Sequence, residues 1–170
     1  MRNYKLPIVF LAYFLTPFFI FAKEDSMLLK VGTAAPDFSM VSSDGDTVSL
    51  HDFSGKNAVV LIFYPGDMTP GCTKQLCAIR DDYSQFQEKN AKVFGVNPGD
   101  KSSHRKFIEK HKFQFPLLID EKRAVAKQYG CDSWPMLKRT VYVIDTKGKI
   151  IYAKRGMPDN AEILKAIPQN

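Results

Sequence analysis

Phe63-Tyr64-Pro65-Gly66-Asp67-Met68-Thr69-Pro70-Gly71-Cys72-Thr73-Lys74-Gln75-Leu76-Cys77 decides how the chain is read. The apolar, partly β-branched run Ala58 to Phe63 stops at this proline-rich turn, and it suits a strand buried on both faces of a parallel sheet. After the turn, Thr69 is a favourable helix N-cap, Pro70 suits the first helical position, and Gly71 permits close approach of backbone or ligand. Cys72 therefore falls in the first turn of a helix, where unpaired amides and the positive end of the helix dipole favour a thiolate and any developing oxyanion. A lone cysteine here would read as a small buried hydrophobe. The second cysteine and the proline-rich approach favour an active site on a strand-to-helix junction.

Cys77 lies five residues on. In a regular helix that is about 140° around and about 7.5 Å along, a Cα separation of about 8.7 Å, beyond the roughly 7 Å limit for a disulfide. The two sulfurs can bond only if the helix start unwinds. That suits a cycle in which one sulfur reacts in a folded pocket and the second resolves it, and suits a permanent structural disulfide badly.

Working outward, Lys23 to Leu29 reads as a tether. Asp37 to Val41 and Thr47 to Leu50 form a hairpin across Asp44-Gly45, and His51 to Lys56 a polar connection. The cysteine helix continues through Ala78, Ile79, Tyr83 and Phe86 to about Asn90. Lys92 to Val96 is the next buried strand, Ser102 to His111 a helix, Phe115 to Asp120 a short strand, and Arg123 to Tyr129 a helix ended by Gly130. Arg139 to Ile144 and Lys149 to Lys154 pair across Asp145-Thr146-Lys147-Gly148, and Asp159 to Ile167 closes the chain as a helix. The order βαβ, α, ββα predicts an α/β thioredoxin-like fold with a central mixed sheet, enlarged by the N-terminal β-hairpin and by the region between Ser102 and Tyr129.

The 170 residues, 45% hydrophobic and 25% charged, fit one globular domain over residues 23–170. The formal charge of +6 includes Arg2 and Lys5; without them, 22 Lys and Arg against 18 Asp and Glu leave +4. His104-Arg105-Lys106 with Lys110-His111-Lys112 is basic at helical spacing, but Phe107 and Ile108 read as a buried stripe on an otherwise solvated helix. No nucleic-acid motif accompanies it, and none is expected to bind.

Residues 1–22 carry a short basic start, a hydrophobic run from Leu6 to Phe21 broken by Pro7, Thr16 and Pro17, and Ala22 before Lys23-Glu24-Asp25. This is the pattern of a secretory signal peptide, with cleavage expected after Ala22 although Ile20 stands where a small residue is preferred. The alternative is an uncleaved N-terminal anchor, and membrane contact is expected only in that case. Export follows from either, and a periplasmic location is expected.

The stretch Phe63-Tyr64-Pro65-x-Asp67-x-Thr69-Pro70-Gly71-Cys72-Thr73 with Cys77, followed by Ile79-Arg80-Asp81, resembles the active-site segment of peroxiredoxins, nearest the bacterioferritin comigratory protein, or peroxiredoxin Q, subgroup. The resemblance extends from about Leu29 to the C-terminus, through Ala35-Pro36-Asp37-Phe38, Gly45 to Leu50, and Arg139 before Val141-Tyr142-Val143-Ile144-Asp145. It implies a thiol peroxidase acting on hydrogen peroxide and alkyl hydroperoxides, with no cofactor or metal, recycled by a thioredoxin-like reductant and active as a monomer. Cys72 would be the peroxidatic cysteine, oxidised to sulfenic acid, and Cys77 the resolving cysteine, forming an intramolecular disulfide with it. Thr69 would hydrogen-bond the peroxide, Pro65 would shield the sulfur from water, and Arg139 would stabilise the thiolate and the transition state. Where the family frequently has Glu this chain has Gln75, which leaves the orientation of the arginine in question. Lys138 and Arg80 compete with Arg139 for the cationic role.

Two rivals share the fold. A thioredoxin-like thiol-disulfide oxidoreductase would use Cys-x-x-Cys here, and the first of those positions is Thr69. A copper-binding assembly factor would want Cys-x3-Cys and a distant His, whereas four residues separate Cys72 and Cys77. Cys131 reads as a small buried residue. His51, His104 and His111 have no metal-like spacing with the cysteines and read as surface or structural.

Overall fold

The computed structural model describes residues 27–169, so the expected signal segment and most of the expected tether lie outside the described residues. The strands are β1 (Ser39–Ser42), β2 (Thr47–Ser49), β3 (Ala58–Phe63), β4 (Ala91–Asn97), β5 (Leu117–Ile119), β6 (Thr140–Ile144) and β7 (Ile150–Arg155). The helices are α1 (Pro70–Asp81), α2 (Tyr83–Glu88), α3 (Lys101–His111), α4 (Ala124–Gln128) and α5 (Asn160–Ala166). Among the described residues the strands form one sheet in the order β2-β1-β5-β4-β3-β6-β7. β3, β4 and β5 run parallel, while β6 is antiparallel to β3 and β7 to β6. The four-strand centre β4-β3-β6-β7, with α1 and α2 in the crossover and α5 last, is the thioredoxin-like unit. The hairpin joins the sheet through the β1–β5 pairing, so extension and insertion enlarge the same edge.

β3 is buried at all six positions because both sheet faces are covered. Val60 and Ile62 pack with Leu76, Ile79, Phe86, Phe107 and Ile163 on one face. Val59, Leu61 and Phe63 pack with Leu50, Val125, Ala126, Tyr129 and Tyr142 on the other. Burying two such layers supplies most of the stabilisation, at roughly 25 cal/mol per Å² of apolar surface removed from water.

Four local expectations are corrected. The cysteine helix is not continuous to Asn90: it breaks at Asp82, whose carboxylate accepts from Gln85 Nε2 (2.9 Å) and Asn160 Nδ2 (2.7 Å), while Asn160 also bonds the Ala78 carbonyl (2.8 Å). The polar connection begins as a 3-10 helix, Leu50–Phe53, closed by a Ser49/Asp52 capping box, with Phe53 against Phe94 at 5.5 Å. Arg123 is not helical but left-handed (φ 54°), and α4 starts on the amides of Val125 and Ala126, which donate to the Asp120 carboxylate at 3.2 and 2.7 Å. The end of the tether is fastened down. Leu28 and Leu29 pack on the core, and the Leu29 amide donates to the Tyr142 hydroxyl (3.1 Å), which donates to the Tyr129 carbonyl (2.7 Å).

Candidate active site

Pro70 opens α1, Thr69 occupies its N-cap position, and Cys72 sits in the first turn with no exposed surface. Thr69 caps through its backbone, its carbonyl accepting from the Thr73 amide (2.9 Å). Its hydroxyl makes no capping bond, contrary to expectation, and turns back towards the Gly66 carbonyl (3.3 Å). A threonine whose side chain is not engaged with its own helix has lone pairs to offer elsewhere. Thr69 is exposed and Pro65 half-buried on the loop that leads into α1.

β6 lies beside β3 with Thr140 opposite Phe63, so the residue before Thr140 emerges where β3 ends and the loop to α1 begins. That residue is Arg139. Its Nη2 donates to Cys72 Sγ at 3.2 Å, and its Nη1 donates to Gln75 Oε1. Gln75, buried one turn beyond Cys72, therefore holds the arginine with a neutral amide oxygen. A Cβ on Gly71 would stand 3.3 Å from the same Nη2, so Gly71 makes room for the guanidinium. Arg80 is not a competitor at Cys72, because it is committed to Asp81 (2.7 Å) and the His111 carbonyl (2.7 Å).

Beneath the loop lies a polar cluster that sequence reasoning did not find. The Asp67 carboxylate receives Tyr64 Oη (2.7 Å) and Asn97 Nδ2 (2.8 Å) on one oxygen, and Ser103 Oγ (2.6 Å) and His104 Nδ1 (2.8 Å) on the other. His104, expected at the surface or in a structural place, is wholly buried, and its Nε2 has no partner among the described residues. Gly99 leaves space for the cluster: a Cβ there would meet His104 Cε1 at 2.9 Å and Asp67 Oδ2 at 3.2 Å. Burial alone would raise the Asp67 carboxyl, but the bonds from His104 and Ser103 outweigh it and bring the group from 3.8 down to about 2. Burial, then Asp67, then the Cys72 sulfur push the Tyr64 hydroxyl well above its ordinary value, so it remains a donor.

Asp67→Asn presents an amide N–H to a pair of donors, and we expect a loss of about 3 kcal/mol in chemical denaturation. The folded-state value lies below the ordinary 3.8, so the carboxylate stabilises the fold above that pH, and the contribution is lost as pH falls through about 2. Acid titration followed by circular dichroism is expected to show this limb in the parent protein and a flatter one in the variant.

Cys77 is half-buried in the middle of α1, and Cys131 is fully buried, accepted by the Tyr129 carbonyl (3.3 Å), with burial pushing its thiol up to about 11. The three cysteines are unbonded. Cys77 Sγ lies 3.7 Å from His111 Nδ1, a pairing between α1 and α3 that the sequence reading missed. The signal was available as a period: His104, Phe107, Ile108 and His111 fall at i, i+3, i+4 and i+7 on one face of α3.

A buried cysteine at a helix start, bonded by an arginine from the neighbouring strand, defines a reactive-thiol site on a thioredoxin-like fold. The family model described as AhpC/TSA matches residues 31–153. The chain is 43% identical to a chloroplastic peroxiredoxin Q of Triticum aestivum over 80% of its own length and 65% of that protein's, so the match spans less than two thirds of this plant relative. It is 36% identical to peroxiredoxin Bcp of Bacillus subtilis over 83% of this chain and 94% of that one. The crystal structure of peroxidoxin BcpB from Mycobacterium tuberculosis superposes with a TM-score of 0.74 at 34% identity, covering 82% of this chain and 94% of the other. The chain belongs to the AhpC/TSA family, among relatives of the peroxiredoxin Q and Bcp type.

Proposed function

We propose that the protein is a thiol peroxidase that reduces hydrogen peroxide and organic hydroperoxides through Cys72. The observation that carries this reading is the Arg139–Cys72 bond at the start of α1, with Gln75 fixing the guanidinium. The Cys72 thiolate attacks one peroxide oxygen, the O–O bond breaks, and the departing oxygen leaves as water or alcohol after taking a proton. The sulfur is left as sulfenic acid. Arg139 faces the charge that moves between sulfur and oxygen, Thr69 is exposed beside the approach to supply a hydrogen bond, and Pro65 limits water.

Cys77 then displaces the sulfenic oxygen as water, giving a Cys72–Cys77 disulfide that a thioredoxin-like dithiol reduces. Both cysteines lie on the uninterrupted helix α1, so this step requires its start to unwind. The N-terminal pattern supports an exported enzyme served by a reductant of its own compartment.

Stopped-flow mixing of the reduced protein with peroxide tests the reading. The expected result is a Cys72 reaction far faster than that of free cysteine, followed by a Cys72–Cys77 peptide in mass spectrometry. A rate equal to free cysteine removes the peroxidase reading, and a Cys72–Cys131 peptide removes the assignment of Cys77.

A further inference from the structure

The resolving step needs a thiolate, and an ordinary cysteine is only a few per cent ionised at neutral pH. Cys72 has its arginine, whereas Cys77 meets a different set of groups. On α1 the side chain of Arg80 lies one turn further along and interacts electrostatically with the Cys77 sulfur. From α3 comes His111, with Nδ1 at 3.7 Å from Sγ.

His111 is held in place from three directions. Its ring lies edge-on to Phe107 (centroids 5.2 Å apart) and stacks on Phe113 (5.7 Å, 18° between planes). Arg80 Nη1 donates to its carbonyl at 2.7 Å, fastening the end of α3 to α1. Lys112 follows in the left-handed conformation (φ 58°) and ends the helix there. Desolvation, and then the charges of Lys110 and Arg80, push the imidazole below its ordinary value, so the ring is neutral at neutral pH and Nδ1 can accept a proton.

We propose that His111 is the general base of the resolving step, taking the proton of the Cys77 thiol while Arg80 stabilises the sulfur charge that develops. This rests on the assignment of Cys77 as resolving cysteine. As Cys77 Sγ bonds to Cys72 Sγ, the sulfenic S–O bond breaks, and the oxygen departs as water with the proton passed on from His111 through solvent. One sulfur is oxidised and the other reduced by the same amount, so no further reagent enters. Gly71, a poor helix former in a first turn whose amides have no partners within the helix, weakens the Cys72 end of α1, which favours unwinding there and leaves Cys77 against α3.

The test is a single turnover with one equivalent of hydrogen peroxide, quenched and mapped by mass spectrometry across pH, with the fluorescence of the single tryptophan, Trp134, as a continuous signal. His111→Phe preserves an aromatic ring between Phe107 and Phe113 but removes the base. At neutral pH it is expected to slow disulfide formation about tenfold or more, and sulfenic acid accumulates at Cys72. In alkali, where thiols ionise unaided above about pH 9, its rate is expected to climb back towards that of the parent. The rate at which Cys72 is oxidised reports that the site is folded; where His111→Phe loses that rate, His111→Gln takes its place with the same expected pH profile. Parent-like resolution at neutral pH overturns the proposal, as does a slow rate that alkali does not restore, since that marks a packing defect. Absence of any Cys72–Cys77 disulfide in the parent protein instead overturns the assignment of Cys77 itself.

Discussion

A Cys72→Ser protein is expected to fold normally and to consume no hydrogen peroxide, a loss of at least about 10⁴-fold in the oxidation step, or roughly 5.5 kcal/mol in barrier. A serine hydroxyl is very weakly acidic and is a poor nucleophile towards an O–O bond, whereas a thiolate is an intrinsically strong one. The fold is expected to survive because the hydroxyl still accepts from Arg139 Nη2, now 3.2 Å from the sulfur, so no buried donor is orphaned. Cys72→Ala lacks that acceptor and is the poorer control. The measurement is peroxide loss with a saturating dithiol, alongside a denaturation curve. Residual turnover approaching that of the parent would move the chemistry to another sulfur. Cys131 is ill suited to take it over, being fully buried with its thiol pushed up to about 11.

What the sequence disclosed of this site follows from the range over which each part is encoded. β3 was legible because a run apolar at every position has few homes other than a strand covered on both faces, and the junction was legible because Thr69, Pro70 and Gly71 are local signals acting on adjacent backbone. The hairpin was legible for the same reason, with Gly45 at φ 102° in its turn. Arg139 was not derivable from local rules. It came from a resemblance, and the β3–β6 register, with Phe63 opposite Thr140, supplies the physical reason for its position.

Features built from distant partners stayed hidden. The break at Asp82 depends on Asn160, 78 residues away, and the Asp67 cluster on His104, 37 residues away. His104 and His111 take the structural rather than the surface half of their expected places, although they stand among lysines and arginines. The 3.6-residue stripe that buries Phe107 carries both histidines inward with it. Gln75 shows the opposite case. A substitution that put the arginine's orientation in question proves to preserve it, because a neutral amide oxygen is a sufficient acceptor for one arm of a guanidinium.

Arg139→Met is expected to slow the reaction of Cys72 with peroxide by about 10²–10³-fold, or roughly 3–4 kcal/mol, the scale seen when a preorganised donor to a developing charge is removed. Two effects combine. The sulfur loses the donor that holds it at 3.2 Å, and the charge passing to the departing oxygen loses the nearby cation. Arg139→Lys separates charge from geometry. An ammonium on a flexible stem does not reproduce the planar fork that reaches Cys72 Sγ and Gln75 Oε1 together, so this variant is expected to fall between parent and methionine. Gln75→Leu keeps the guanidinium but frees one arm of it, and a smaller loss of about tenfold is expected from misorientation alone. Stopped-flow rates for the three variants give the ranking. If Arg139→Met reacts within about threefold of the parent, less than 1 kcal/mol, the bond to Cys72 is a packing contact. If Arg139→Lys matches the parent while Gln75→Leu is impaired, Gln75 acts on the sulfur by a route other than holding the arginine. The fork predicts neither result, because it joins Gln75 to Cys72 through Arg139.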